Sequence, residues 1–272
     1  MNRKNTKRRL FLCLLAFALL LTACGGSGDT ASETESEKES ETDTEISRLP
    51  STDKKPSKRI AFTFDDGPHP VYTQKIADKA KELGGAVTFF VVGERVYAER
   101  EVFAYIANTE SEIGIHGFSH TVYYDECDDD TYRFELTRTL ELARQYVPDF
   151  STMLMRPIGG RISAERAEES PYAVIKWNID TLDWQHKTNA TEEEKAENVS
   201  FIVEHILKNA HDGAIVLMHD LYENSYLAFC EAAEQLVADG YALVTVSELL
   251  GGTVQAGHIY SHGFPASEVG AK

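Results

Sequence analysis

Apolar and polar positions follow two different periods along the middle of the chain. Short apolar runs recur, and between them lie longer stretches where apolar residues return every three to four positions. The first pattern marks buried strands and the second marks helices with one buried face. Strands are expected at 59–64, 87–92, 111–115, 152–155, 173–177, 214–218 and 242–246, and helices at 72–83, 96–107, 131–147, 191–207 and 222–238. The run Val87-Thr88-Phe89-Phe90-Val91-Val92 is the clearest strand, rich in β-branched and aromatic residues. The helix at 72–83 ends on Gly84-Gly85. The helix at 131–147 puts Tyr132, Leu136, Leu140, Ala143 and Val147 on one face and stops at Pro148. About seven strands with helices between most of them imply an α/β fold with a parallel sheet and helical crossovers. Two closures compete, an open doubly wound sheet and a shortened barrel; roughly 190 residues are few for an eight-stranded barrel, which takes about 250. In either architecture functional groups collect past the carboxyl ends of strands.

The chain begins on a different pattern. Five basic residues within the first nine, with no acid, precede an apolar run from Leu10 to Leu21. A bilayer span needs about 20 apolar residues, so this run is short for one. It reads as a secretion leader over 1–23. Its boundary, Leu21-Thr22-Ala23-Cys24, resembles the lipobox of bacterial lipoproteins, which implies lipidation at Cys24 and a membrane-anchored, extracytoplasmic protein. Between Asp29 and Glu45 lie eight acids and only Lys38, spaced by Ser, Thr and Ala. Residues 24–58 are therefore expected to form a solvated, self-repelling tether. The folded domain is placed at 59–250 and a tail at 251–272.

The formal charge of −17 argues against a nucleic-acid partner, since phosphate binding needs a basic face. Cysteine use is sparse. Past Cys24 only Cys127 and Cys230 remain, one candidate disulfide, and the absence of CxxC disfavours a thiolate metal site.

Polar motifs fall where the strands end. Asp65-Asp66-Gly67-Pro68 follows the first strand, and two adjacent carboxylates there are costly unless paired or bound to a cation. His116-Gly117-Phe118-Ser119-His120 follows the third; two His four apart can face one metal if the segment forms a helical turn. His258 and His262 have the same spacing but lie past the last expected strand with no acid nearby, so they are assigned no metal role. Arg156-Pro157-Ile158-Gly159-Gly160, Asp180-Thr181-Leu182-Asp183-Trp184 and Leu217-Met218-His219-Asp220 complete the series.

In this order the motifs resemble those of the polysaccharide deacetylase family (NodB homology, carbohydrate esterase family 4), over about residues 59–250. The resemblance implies a distorted (β/α) barrel of seven or eight strands and metal-dependent removal of acetyl groups from a polysaccharide. By position, Asp65 resembles the catalytic base, His219 the general acid, Arg156 the arginine that holds the base and Asp183 the acid that tunes the histidine. Asp66, His116 and His120 resemble the metal ligands. Trp184 and Leu217 resemble the walls of an acetyl pocket, and the Gly159 N–H resembles the oxyanion donor. Two positions depart from the family: Gly117 stands where Ser or Thr is frequent, and Gly159 where Tyr is usual. Two imidazoles and a carboxylate suit one divalent ion, zinc first, with cobalt, nickel or iron as alternatives. A base and an acid of opposite charge state predict a bell-shaped pH profile. Together with the anchor, the resemblance points to peptidoglycan N-acetylglucosamine as substrate. Chitin-type polymers, acetylxylan or a non-catalytic glycan-binding role are the alternatives, and no obligatory protein partner is evident.

Overall fold

The computed structural model describes residues 57–263. The expected leader, Cys24, nearly all of the tether and the end of the tail lie outside the described residues. The central strand is β1 (Lys58–Asp65), whose residues from Ile60 onward are buried. It pairs with β2 (Thr88–Val91) on one side and β7 (Ala214–His219) on the other, and its start also pairs with β8 (Tyr241–Leu243). Beyond β2 the sheet continues through β3 (Glu112–Ile115), β4 (Leu154–Met155), β5 (Ala173–Ile175) and β9 (Ile259–Tyr260). Beyond β7 lies β6 (Ile179–Asp180). All of these pairings are parallel, and the order is β6-β7-β1-β2-β3-β4-β5-β9. Among the described residues β6 and β9 do not pair with each other, so the molecule is a distorted (β/α) barrel left open at one seam.

Side chains alternate across this sheet, as the period of two requires. Ile60, Phe62 and Phe64 of β1 pack outward into the main core, against α1 (Tyr72–Glu82), α6 (Glu192–Asn209) and α7 (Glu223–Ala238). Phe229 of α7 anchors that layer, with its ring edge-on to Phe62 and Phe64 at 5.2 Å each. Ala61, by contrast, clusters with Phe90, Leu154, Ala173, Ile175 and Ile215 from neighbouring strands. These residues fill the barrel interior.

Several expected boundaries shift. The helix foreseen at 96–107 is two, α2 (Gly93–Ala98) and α3 (Arg100–Ile106), which meet at Glu99 (φ −113°, ψ 42°). The helix at 131–147 begins slightly earlier, as α4 (Asp129–Tyr146), because the Asp128 side chain accepts from Thr131 N and caps it. A short α5 (Ala164–Glu168), capped by Ser163, was not foreseen. The last expected strand stops at Leu243, because Thr245 and Glu248 form a reciprocal capping box that starts α8 (Val246–Leu249). The sheet does not end there. Residues 259–260, read as tail, form the edge strand β9, and Val174 N and Lys176 N donate to His258 O and Tyr260 O. Strands β6 and β9 escaped notice because each is two residues long and lacks the apolar run that marks β4 at Met153-Leu154-Met155. Cys127 and Cys230 are both free thiols, and no disulfide links them. No helix among the described residues is long and apolar enough to cross a membrane.

Candidate active site

The interior column becomes polar at the carboxyl ends of the strands. On β1 the inward positions run Ala61, Thr63, Asp65, and on β7 they run Ile215, Leu217, His219, in register as Ala61↔Ile215, Thr63↔Leu217 and Asp65↔His219. Phe90 lies opposite both Asp65 and Gly114, so His116, two residues past Gly114, falls on the same inner face. Arg156 follows inward Leu154, Trp177 follows inward Ile175, and Asp180 sits opposite Leu217. An apolar floor thus carries a polar rim, and the period of two selects which residues form it.

Asp66 follows Asp65 and would point outward on a continued strand. Its φ of +75° turns the chain instead, and its carboxylate joins the inner side. His120 reaches the same place with φ +55°. Segment 116–120 is therefore a loop with left-handed residues, not the helical turn its spacing suggested. Left-handed backbone at such residues costs about 1–3 kcal/mol each and persists only where the surroundings impose it.

One ligand atom from each of Asp66, His116 and His120 lies within 4.8 Å of the others. The two imidazole Nε2 atoms stand 3.4 and 2.8 Å from Asp66 Oδ1, yet that buried oxygen has no well-directed hydrogen bond. His116 Nδ1 lies 2.8 Å from the Arg156 carbonyl, which can only accept, so Nδ1 carries a proton and Nε2 is free to bind. Burial alone would raise the Asp66 carboxyl; His116 and His120 hold it far below the usual carboxylate range. Three donor atoms meeting around an unsatisfied carboxylate oxygen fit a divalent cation, which needs such donors and leaves further positions open.

Asp65 and His219 flank this trio, each fixed from behind. Asp65 Oδ1 accepts from Arg156 Nη1 at 2.8 Å, leaving Oδ2 at 3.8 Å from His116 Nε2. Arg156 is fully buried; it also donates to Thr63 Oγ1, Ile175 O and Lys176 O and lies 4.2 Å over the Phe90 ring. His219 Nδ1 donates to Asp183 Oδ1 at 2.9 Å, and Asp183 Oδ2 accepts from His219 N and Ser225 Oγ. Burial would lower the His219 pKa, but the Asp183 hydrogen bond and nearby carboxylates raise it to about 9.

Eight of the residues singled out from the motifs line one cavity of about 440 Å³: Asp65, Asp66, His116, His120, Gly159, Trp184, Leu217 and His219. Arg156 and Asp183 are buried behind it. Four further lining residues were not foreseen as site residues: Trp177, Asp180, Tyr123 and Ile158. Trp177 and Asp180 could have been reached by extending the strand period; Tyr123 sits in a loop that has none.

Support for the histidine loop was also missed. Glu135 of α4, only 2% exposed, accepts from Phe118 N, Ser119 N and Ser119 Oγ at 2.6, 3.0 and 2.8 Å. Thr139 Oγ1 donates to Gly117 O. A Cβ on Gly117 (φ +75°) would lie 3.0 Å from Glu135 Oε2 and 3.2 Å from Tyr124 Oη. Gly117 thus leaves room for the Glu135 carboxylate that holds the loop.

Fold and site together define a (β/α)-barrel protein with an Asp-His-His group suited to a metal at the carboxyl ends of its strands. The family model described as polysaccharide deacetylase matches residues 52–174. A peptidoglycan-N-acetylglucosamine deacetylase of Bacillus cereus is 32% identical over 201 residues, covering 71% of this chain and 88% of that protein. The peptidoglycan-N-acetylglucosamine deacetylase PgdA of Listeria monocytogenes is 30% identical over 214 residues, covering 78% of this chain and 43% of that protein. The chain thus spans less than half the length of this longer relative. The solved structure of the peptidoglycan deacetylase PdaC from Bacillus subtilis superposes with a TM-score of 0.64 at 32% identity, over 71% of this chain and 89% of that one. The chain belongs to the polysaccharide deacetylase family.

Proposed function

We propose that the protein is a metal-dependent hydrolase that removes acetyl groups from an N-acetylated cell-wall polysaccharide, with N-acetylglucosamine of peptidoglycan as its substrate. The carrying observation is the pair Asp65–Arg156 and His219–Asp183 facing one cavity beside Asp66, His116 and His120. The peptidoglycan deacetylases among its relatives support the choice of polymer.

Asp66, His116 and His120 would hold the ion. When bound, a zinc ion supplies an activated water and polarises the acetyl carbonyl. Asp65, oriented by Arg156 and not itself a ligand, takes the proton of the attacking water. The Gly159 N–H donates to the oxygen on which negative charge develops. Trp184 and Leu217 wall the space for the acetyl methyl. His219, protonated and held by Asp183, gives its proton to the departing amine nitrogen, so acetate and a free amino sugar result.

Acetate release from peptidoglycan, chitin oligomers and acetylxylan, with and without chelator, tests this reading. Release from peptidoglycan that chelation abolishes and zinc restores is expected. Acetate from none of the three, with zinc supplied, would leave a glycan-binding protein.

For location, the reading is a lipoprotein anchored outside the cytoplasmic membrane through Cys24, with 24–58 as its tether. Cys24→Ser should move the protein from the membrane to the soluble fraction; a variant that stays on the membrane would mean another anchor.

A further inference from the structure

The groove beside Gly159 carries an aromatic ring that no motif accounts for. Tyr123 comes three residues after His120, just ahead of a short 3₁₀ turn (Tyr124–Glu126). Its neighbour Tyr124 is buried and packs edge-on against Tyr132 at 5.1 Å, which pins this segment. Tyr123 is 38% exposed and lines the same cavity as Asp65, His116 and His219. The Arg161 guanidinium lies over its ring at 4.3 Å, and Arg161 Nη2 is held by Glu126 at 2.6 Å.

Gly159 explains why that ring matters. Its φ of +61° is a conformation that favours glycine. A Cβ built there would find Tyr123 Cε1 and Arg161 Cδ as its nearest neighbours, both at 3.9 Å. The direction a side chain at 159 would take therefore leads to Tyr123 and Arg161. An aromatic ring from another loop thus stands beside the open place at 159. A pyranose ring exposes C–H groups on one face, and an aromatic ring in the cavity wall presents an apolar partner for them. Tyr orders few torsions on binding, so such a contact costs little entropy.

We propose that Tyr123 determines substrate specificity by stacking on the sugar that carries the scissile acetyl group or on its immediate neighbour, with Arg161 fixing the ring. This rests on the deacetylase reading above and deepens it to a polymeric saccharide bound along the Gly159 side of the cavity. Tyr123 acts on binding and not on bond cleavage.

The test uses the full chain loaded with zinc and chitotetraose as probe. Tyr123→Ala and Tyr123→Leu are expected to raise KM about tenfold with kcat within twofold, while Tyr123→Phe stays within twofold of wild type in both. With a small acetyl ester, too short to stack, Tyr123→Ala should match wild type. Calorimetric binding of chitotetraose in a His219→Ala background, which slows turnover, should weaken about tenfold on adding Tyr123→Ala or Tyr123→Leu. This arm separates the two readings, because a wild type that releases acetate from none of peptidoglycan, chitin oligomers and acetylxylan defeats the deacetylase proposal while binding still reports on Tyr123. Affinity and KM unmoved in the Ala variant, a Leu variant that binds as well as Tyr, or a kcat loss equal on both substrates would each overturn the role.

Discussion

Burial ordinarily strips the proton from an imidazole, yet His219 keeps its proton up to about pH 9 because Asp183 accepts from Nδ1 and Asp66 and Asp65 lie nearby. The folded value lies above the ordinary imidazole value of about 6.5. The stabilisation from the charged ring is therefore complete below that pH and is lost as pH rises through about 9. In metal-free protein, an NMR titration should place His219 near 9, and Asp183→Asn should move it well below, since burial is then less opposed. A bound cation adds positive charge to the cavity and lowers the value. The alkaline limb of kcat/KM is thus expected below pH 9, and further toward acid in Asp183→Asn; a limb that stays in place would belong to another group. His219→Ala should cost about 10²–10⁴ in kcat, with zinc content by elemental analysis unchanged. Loss of zinc in that variant would make His219 a ligand instead.

At the scale of elements, the decisive unit is the loop 116–120 on the end of β3, and α4 holds it. Three hydrogen bonds converge on the Glu135 carboxylate, so this helix fixes the backbone from which His116 and His120 project. Removing groups that orient metal ligands typically costs 10–100-fold in affinity. Glu135→Ala is expected to weaken zinc binding by about that factor in a calorimetric titration, and an unchanged affinity would mean the loop holds itself. Gly117→Ala meets both a left-handed φ and a Glu135 oxygen at 3.0 Å. It should lower stability by more than about 1 kcal/mol in urea denaturation; a neutral result would show that Glu135 yields.

For the whole molecule, the site exists only when β1 and β3 stand on either side of β2, because Asp66 and the two histidines are some fifty residues apart in the chain. The unfolded chain has no such group, so an ion binding the folded state raises its stability with concentration. Zinc at 100 times its Kd should add about 2.7 kcal/mol. Calorimetric scans should show a Tm that climbs with zinc and falls with chelator, and a Tm indifferent to both would place no ion there.

Strand-length apolar runs made the parallel sheet legible from the sequence, because the apolar period is a local property, and the residues of the polar rim were read from motifs at the strand ends and from their resemblance to a family. Arg156, Asp183 and His219 were likewise legible as residues of the motifs. What they touch was not, since Arg156 meets Asp65 across 91 positions and Asp183 meets His219 across 36. The left-handed turns at Asp66 and His120, the grip of Glu135 on the loop, and the ring of Tyr123 beside Gly159 come from contacts between distant segments. So do the two-residue strands β6 and β9, which only their neighbours hold extended. Side-chain chemistry is written in the order of residues, but the direction in which each group points is set by packing that no local pattern encodes.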